Sequence, residues 1–309
     1  MDIEYLLFLQ NLRELTGNVL TPFMSFITTY GEELYTMMIV AAVYWCADKS
    51  QGIFTLMTWG AGRVLNGFLK LTACVYRPWI RDARVQPVPS AFNTATGYSF
   101  PSGHSTNAAA VYGSLAMNKK ISRLIRVLLI VMIALVLLSR NYLGVHTPQD
   151  VLVGCGSTLI LVALFHKLMP LIENDEKIDM LVLIIGCAIC VLVVFYAMLK
   201  PYPHDYDAAG QLIVDPAKMA IDTYKGCGFG LAVLIGSYIE RHYVRFSVEG
   251  TWQQRVGRYF LGMLGYFVVL YVLLPMLPAG VIGAILDRFI RLIYIVLIVP
   301  VFIKLSQKQ

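Results

Sequence analysis

The fold of this chain is decided by residues 121–168, ISRLIRVLLIVMIALVLLSRNYLGVHTPQDVLVGCGSTLILVALFHKL, where two apolar runs meet at a polar junction. Each run has about the 20 residues that an α-helix needs to cross a bilayer. The junction SRNYLGVHTPQD, residues 139–150, holds an arginine, a histidine and an aspartate. Charged and titratable side chains are costly near hydrocarbon, so these three require an explanation from the rest of the chain.

The composition predicts a polytopic membrane protein. Of the 309 residues, 58% are hydrophobic and 14% are charged, and the mean hydropathy is +0.66. We expect an all-α transmembrane bundle with about nine spans. The candidate spans are residues 30–47, 51–75, 103–118, 121–141, 147–168, 178–200, 217–240, 256–277 and 281–304. Residues 1–29 are apolar but interrupted by Gly17 and Pro22, which predicts an interfacial segment.

Basic residues set the predicted orientation. With nine spans, one face of the membrane collects thirteen of them, and the positive-inside rule makes that face cytoplasmic. They are Lys49, Lys119, Lys120, Arg123, Arg126, Lys167, Lys177, Arg241, Arg245, Arg255, Arg258, Lys304 and Lys308. The junction then faces the outside or an organelle lumen. The net charge of +6 follows from this bias, and no basic run is interleaved with stacking aromatics, so we expect no nucleic-acid partner.

A first polar cluster ends the second predicted span, in RVLNGFLKLTACVYRPW, residues 63–79. Lys70 and Arg77 are seven residues apart, so on one continuous helix they would lie within about 20° of each other, two turns apart. Two cations on one stripe suit a tetrahedral dianion such as phosphate. Arg63 and Asn66 extend this stripe deeper. Snorkelling of Lys70 and Arg77 at the membrane edge is the alternative.

A second cluster is GYSFPSGHSTNAA, residues 97–109. Its Pro, Ser and Gly predict a helix that begins near Ser102 or Gly103, whose free N–H groups would receive an anion. His104 stands at the same helix end, although it could equally be a bystander beside an ordinary N-cap.

The third cluster is the junction itself. Thr147 and Pro148 predict a helix start with Asp150 at its third position, where this acid could simply complete a capping box. His146 is four residues from Asp150, within reach of a hydrogen bond that would orient the imidazole as a nucleophile or base. Arg140 lies at the other lip of the same loop.

Together the three clusters resemble the signature of the type 2 phosphatidic acid phosphatase superfamily, which includes lipid phosphate phosphatases, undecaprenyl pyrophosphate phosphatases, glucose-6-phosphatase and vanadium haloperoxidases. The matching segments are Lys70-x6-Arg77-Pro78, Pro101-Ser102-Gly103-His104 and Ser139-Arg140-x5-His146-x3-Asp150. The resemblance implies a haloperoxidase-like catalytic membrane core at residues 30–170. Residues 171–309, which resemble the family only weakly, would add further transmembrane helices.

The resemblance also implies roles. His146 would attack phosphorus and form a phosphohistidine, Asp150 would orient it, and His104 would protonate the leaving oxygen. No metal and no cofactor would be needed. The phosphate oxygens would be held by Lys70, Arg77, Ser102, Gly103 and Arg140.

We therefore expect a membrane-bound phosphatase acting on a lipid phosphate or lipid pyrophosphate at the extracytoplasmic or lumenal face. Polyprenyl pyrophosphate is the favoured substrate, followed by phosphatidic acid or phosphatidylglycerol phosphate and then sphingoid phosphates. A lipid phosphotransferase using the same residues and a transporter or flippase are the alternatives. The sequence does not indicate an oligomeric state.

Several other charges fall inside predicted spans. Glu32 and Glu33 begin the first span, where we expect an interfacial cap, with pairing to Lys70 or Arg77 as the alternative. Charges in the seventh and ninth spans are expected to neutralise each other between helices, or else to line a polar pocket. They are Asp222, Lys225, Asp287, Arg288 and Arg291.

Overall fold

The structure, a computed structural model, describes residues 2–206 and 209–307. Within these residues it is a helical bundle without a β-strand, which agrees with the all-α prediction. Lys308, one of the basic residues used above, lies outside the described residues.

Fourteen α-helices follow one another along the described chain, several of them joined or extended by single π-helical turns. Their bounds are α1 Asp2–Leu15, α2 Thr21–Thr29, α3 Glu33–Ala42, α4 Lys49–Ala73, α5 Pro78–Arg81, α6 Gly103–Ala108, α7 Ser114–Ala116, α8 Arg123–Tyr142, α9 Pro148–Asn174, α10 Glu176–Leu199, α11 Pro216–Ile239, α12 Trp252–Val268, α13 Val281–Ile293 and α14 Val299–Ser306. The π-helical turns are Val43–Ala47, Ala109–Gly113, Glu240–Val244, Val269–Leu273 and Tyr294–Ile298.

The nine predicted runs are all mainly helical, but nine membrane spans are not confirmed. Among the described residues, five helical stretches are long and apolar enough to cross a bilayer. They are Arg123–Tyr142, Pro148–Asn174, Glu176–Leu199, Trp252–Met276 and Val281–Ser306. The remaining four are either short, as at Glu33–Ala47 and in α6 with α7, or carry polar groups toward the protein interior, as in α4 and α11.

The helices that are too short or too polar to cross a bilayer by themselves lie at the centre of the bundle. Most of α4 is buried, and α11 packs mainly against α4, α10 and α13. One buried apolar cluster joins residues from both halves of the chain, including Trp59 of α4, Phe229 of α11 and Leu292 of α13. Trp45 donates its indole N–H to the carbonyl oxygen of Ile295 at 2.9 Å. The additional C-terminal helices are therefore part of the same core.

A row of glycines on α11 permits this close packing. A Cβ atom added to Gly228 would lie 2.1 Å from the backbone oxygen of Ile285 on α13. A Cβ on Gly226 would lie 2.9 Å from the backbone oxygen of Arg63 on α4. Both obstacles are backbone atoms, which cannot rotate aside as a side chain can. Glycine at these two positions therefore sets the distance between α11 and its neighbours.

Helices α4 and α8 each begin at a basic residue predicted to be cytoplasmic and end near a predicted site residue, as the predicted orientation requires. Lys49 begins α4 and Lys70 lies near its end, while Arg123 begins α8 and Arg140 lies in its last turn. The predicted cytoplasmic basic residues and the predicted site are thus at opposite ends of these helices. Which side of the membrane each end faces remains a prediction.

We expect Gly228→Ala to lower the thermal unfolding temperature in detergent, because overpacking a dense interface costs about 1–3 kcal/mol. Gly257→Ala is the matched control, since no atom lies within 4 Å of the added Cβ on that α12 residue. Differential scanning fluorimetry of both variants checks this. Equal melting temperatures for Gly228→Ala and the wild type would show that α11 and α13 are not packed as described.

Candidate active site

A polar cavity of about 290 Å³ opens between the ends of the central helices. It gathers residues from all three sequence clusters, together with side chains from the first predicted span and the C-terminal helices. Its wall is formed by Glu32, Glu33, Leu34, Arg63, Asn66, Gly67, Lys70, Arg77, Thr94, Thr96, Gly103, His104, Asn107, His146, Asp222 and Arg288. Five of the eight predicted site residues line it, namely Lys70, Arg77, Gly103, His104 and His146, and the other three lie behind its wall.

Lys70 and Arg77 do not lie on one helix, so the predicted helical stripe is wrong. Helix α4 ends at Ala73, where Cys74 takes a left-handed conformation with φ of 47°. The residue before a proline also avoids the helical region, and Arg77 precedes Pro78 in an extended conformation. The two cations nevertheless meet in the same cavity, Lys70 from the last turn of α4 and Arg77 from the start of α5.

The cations are held by backbone carbonyl groups. Lys70 Nζ donates to the oxygens of Tyr98 and Pro101 at 2.6 and 3.1 Å. Arg77 donates to the oxygens of Thr96, Gly97 and Val145 at distances of 2.5 to 3.1 Å, and both side chains are at most 5% exposed. This rules out the snorkelling alternative. Both cations are buried and point into the protein.

His146 is held between a cation and an acid. Its Nδ1 lies 3.3 Å from Asp150 Oδ2, and its Nε2 lies 3.0 Å from Arg77 Nη1. Since a guanidinium can only donate, the bond to Arg77 places the lone pair of the imidazole on Nε2 and the proton on Nδ1. Burial, reinforced by the positive charge of Arg77, lowers the pKa of His146 well below its usual value. The imidazole is therefore neutral, which is the nucleophilic form.

Asp150 combines the two roles that the sequence left open. Its Oδ2 accepts the backbone N–H of Thr147 at 2.8 Å, which caps α9 as predicted. The same oxygen faces His146 and accepts the hydroxyl of Ser99 at 2.6 Å. The cap therefore fixes the carboxylate that orients the imidazole. Ser99 was missed by the sequence analysis because it precedes the recognisable PSGH turn.

The predicted helix start at the second cluster is present. Helix α6 begins at Gly103, with Ser102 as its N-cap. Gly103 and His104 line the cavity, and His104 Nε2 is buried without a hydrogen-bond partner among the described residues. Ser102 is fully buried, and its hydroxyl accepts the N–H of Ser105 at 3.4 Å, so it supports the turn from behind.

Arg140 lies behind the cavity wall at the end of α8 and is completely buried. Its Nη1 donates to the hydroxyl of Thr28 at 2.8 Å, and a weaker contact of 3.4 Å reaches Thr94. Its Nε and Nη2 have no hydrogen-bond partner among the described residues. Arg140 thus contributes positive charge and unsatisfied donors next to Thr94, which is part of the wall.

The charged residues of α3 and α13 at the far wall of the cavity pair differently from the prediction. Glu33 pairs with Arg288 of α13 at 2.7 Å, and not with Lys70 or Arg77. Asp287 pairs with Arg288 and Arg291 on its own helix. Among the described residues no ion pair joins the seventh and ninth spans, so the predicted neutralisation between these helices is wrong. The alternative of a polar pocket holds for Asp222 and Arg288, which line the cavity. Only the tertiary fold brings α3 and α13 together, so no local spacing indicated the contact between Glu33 and Arg288.

Asn107 was not assigned to the site from the sequence, and a polar pocket was only the alternative for Asp222. The Asp222 carboxylate lines the cavity and accepts the hydroxyl of Thr96 at 2.7 Å. Asn107 is fixed by the indole N–H of Trp59 at 2.9 Å and by its own bond to the carbonyl of Gly31. Asn107 lies one turn after Gly103 on α6, so its helical spacing could have indicated it.

The arrangement suits a tetrahedral oxyanion. Two buried cations, a third behind them and a helix N-terminus converge on one cavity that also presents a neutral imidazole nitrogen. Within the described residues, no three His, Cys, Asp or Glu side chains are grouped as metal ligands. The site can therefore hold a phosphate group and offer it a nitrogen nucleophile.

Most of the chain is similar to known phosphatases. Residues 51–173 match the PAP2 superfamily, and residues 224–308 match the transmembrane extension of PAP2 superfamily phosphatases. The chain is 32% identical over 171 residues to phosphatidylglycerophosphatase B of Bacillus subtilis, covering 52% of this chain and 77% of the relative. It is 30% identical over 164 residues to an undecaprenyl-diphosphatase of Bacillus subtilis, covering 51% and 79%.

A more distant relative is sphingosine-1-phosphate phosphatase 2 of Mus musculus, with 26% identity over 183 residues, 58% of this chain and 49% of the relative. No solved structure matches the chain.

Arg77→Gln is expected to weaken the binding of inorganic phosphate about tenfold to a hundredfold, because hydrogen bonds to charged groups contribute about 1.5–3 kcal/mol. Isothermal titration calorimetry of the detergent-solubilised protein measures this. Arg81→Gln is the control, since Arg81 lies on the same short helix but pairs with Asp2 at 2.7 Å outside the cavity. Unchanged phosphate affinity in Arg77→Gln would exclude Arg77 as an anion ligand.

Proposed function

The chain belongs to the PAP2 superfamily and is a membrane lipid phosphatase, and from that premise we propose that it hydrolyses its substrate through a phosphohistidine formed on His146. The family resemblance drawn from the three sequence clusters is thereby confirmed, as is the expectation of an enzyme. The mechanism, the side of the membrane and the substrate below are our proposals.

The position of His146 between Asp150 and Arg77 is the observation that carries the mechanism. The Nδ1–H of His146 donates a hydrogen bond to Asp150, so Nε2 keeps its lone pair and points toward the cavity cations. A bound phosphate would take over the donors of Arg77 and present its phosphorus to Nε2. Nucleophile, orienting acid and anion-binding groups are then ordered as covalent phosphoryl transfer requires.

Two steps complete the reaction. First, Nε2 of His146 bonds to phosphorus, the bond from phosphorus to the leaving oxygen breaks, and His104 gives that oxygen a proton. Second, a water oxygen attacks the phosphohistidine, His104 accepts a proton from that water, and the nitrogen–phosphorus bond breaks to release inorganic phosphate. His104 is suited to both roles because it lies at the cavity wall with Nε2 free of protein partners within the described chain.

The positive groups would stabilise the transferring phosphoryl group, on which charge is spread over three oxygens. Lys70, Arg77 and the N–H of Gly103 face the cavity, while Arg140 and Ser102 act from behind its wall. We propose that the reaction needs no metal and proceeds in the presence of EDTA.

We propose that the site faces the extracytoplasmic or lumenal side, because the predicted cytoplasmic basic residues begin the helices that carry Lys70 and Arg140 at their ends. A lipid tail can remain in the bilayer while its phosphate enters the polar cavity. The named relatives act on phosphatidylglycerol phosphate, undecaprenyl diphosphate and sphingosine-1-phosphate. A polyprenyl diphosphate remains our favoured substrate, with glycerolipid and sphingoid phosphates after it.

His146→Ala is expected to reduce phosphate release from lipid phosphates by more than about a thousandfold, because it removes the nucleophile. Acid-labile ³²P labelling of the wild-type protein should be detectable by rapid quench and absent in the variant. His166→Ala, which removes a histidine packed on Phe54 in another part of the bundle, is the control. Near-normal activity of His146→Ala would overturn the phosphohistidine. Transfer of the phosphoryl group to an added acceptor lipid, without release of inorganic phosphate, would indicate a phosphotransferase.

Ser99→Ala is expected to lower kcat about tenfold to a hundredfold with little change in KM, since it removes a hydrogen bond to the charged carboxylate that orients His146. Ser157→Ala is the matched control because this α9 hydroxyl donates to its own helix at Val153. Steady-state kinetics with one lipid phosphate decide the outcome. If KM rises and kcat is unchanged, Ser99 acts on substrate binding and not on His146.

A further inference from the structure

Arg63 is a partly buried cation in the cavity wall that the mechanism above does not use. Its side chain is 14% exposed, and its ion contact is Glu33, whose Oε2 lies 3.8 Å from Arg63 Nη2. Its Nε has no hydrogen-bond partner among the described residues. A guanidinium has five N–H donors, and leaving them unsatisfied in a buried site is costly. Arg63 is therefore equipped to bind an anionic group of a ligand.

Arg63 lies beside the start of α6, where the proposed binding site of the transferred phosphate adjoins the proposed proton donor His104. A Cβ atom added to Gly103 would lie 3.7 Å from Arg63 Nη1, with no other atom nearby. The guanidinium thus lies beside the first residue of α6, next to His104, which we propose as the proton donor to the leaving oxygen. Lys70 and Arg77 are anchored elsewhere, to the carbonyl groups of residues 96–101.

The C-terminal helices hold Arg63 in place indirectly. Arg288 of α13 lies within the matched transmembrane extension, and it binds Glu33 at 2.7 Å. Glu33 in turn faces Arg63. Arg288 is also paired with Asp287, so its charge is already balanced and it serves to position Glu33. Arg63, with one long contact, keeps most of its capacity for a ligand.

The number of cations distinguishes two kinds of substrate. A lipid monophosphate brings one phosphate, which Lys70, Arg77, Arg140 and the start of α6 can receive. When phosphatidic acid or a prenyl monophosphate is cleaved, the leaving group is a neutral alcohol and gives Arg63 no anion to bind. Phosphatidylglycerol phosphate leaves a phosphodiester, but its charge lies a glycerol unit away from the cleaved bond. A lipid diphosphate leaves behind a lipid monophosphate, whose oxygens carry charge on the side where Arg63 lies.

We propose that Arg63 forms a second anion subsite, positioned by Glu33 and Arg288, that binds the phosphate remaining on the lipid when a lipid diphosphate is cleaved. This assignment rests on the proposed function and narrows its substrate class to lipid diphosphates. Three carboxylates also line the wall. Glu33 is paired with Arg288, and Glu32 interacts with Arg140. Asp222 accepts the hydroxyl of Thr96, and its charge interacts with Arg63 and Lys70 together, so it balances only part of the positive charge of Arg63.

The test compares farnesyl diphosphate with farnesyl phosphate, which share one tail and differ by one phosphate. Arg63→Gln should lower kcat/KM for the diphosphate about tenfold to a hundredfold and change that for the monophosphate less than about threefold. Arg288→Gln should also lower kcat/KM for the diphosphate more than for the monophosphate. Arg288→Lys should restore part of this loss. Arg255→Gln, which alters an arginine of the extension bonded to the carbonyl of Gly250, is the control.

Equal losses on both substrates, or no loss on either, would overturn the second subsite while leaving the phosphatase assignment intact. A wild-type protein that cleaves neither substrate, while releasing phosphate from a glycerolipid or sphingoid phosphate, would instead overturn the polyprenyl diphosphate as substrate, and the subsite with it. A wild-type protein that cleaves no lipid phosphate would overturn the proposed function. Inhibition of the wild-type enzyme provides a measurement that needs no variant. Inorganic diphosphate should inhibit at least about tenfold more strongly than inorganic phosphate, and equal inhibition would contradict the proposal.

Discussion

The burial of fixed positive charge is the constraint on which the rest of this structure depends. Removing an ammonium or guanidinium group from water costs several kcal/mol unless hydrogen bonds and opposite charges replace the lost hydration. Here the replacement comes largely from main-chain carbonyl groups. Lys70 and Arg77 together draw four of these groups from residues 96–101. That segment can lack regular helix because its carbonyl groups are satisfied by the cations and it is enclosed by protein.

The same constraint explains which helices occupy the centre. Helix α4 carries Arg63, Asn66 and Lys70, and α11 carries Asp222, so neither can turn these faces to lipid. They pack against α9, α10 and α13. The apolar surfaces of α9 and α10, like those of α8 and α12, remain exposed in the protein alone. Glycines on α11 then let the central helices approach at backbone distance. Placing the polar helices at the centre therefore creates the polar site and leaves apolar helices facing the lipid.

The sequence predicted the helices and the residues of the site better than it predicted their connections. Hydropathy located all nine helical runs, and the capping pattern at Thr147 and Asp150 placed the start of α9. The helical stripe through Lys70 and Arg77 failed because Cys74 ends α4 in a left-handed turn. Ser99 and Arg288 could not be assigned from spacing, since each meets its partner across the tertiary fold.

The pair formed by Glu33 and Arg288 links the first helix of the catalytic core to the last part of the chain. Removing Arg288 leaves Glu33 with only the 3.8 Å contact to Arg63, and an uncompensated charge inside the protein costs about 3–5 kcal/mol. Removing Glu33 costs less, because Arg288 keeps its pair with Asp287. Among natural variants of this chain, loss of the charge at position 288 should therefore be accompanied by a neutral residue at position 33. Substitutions in the core and in its extension are therefore expected to depend on each other.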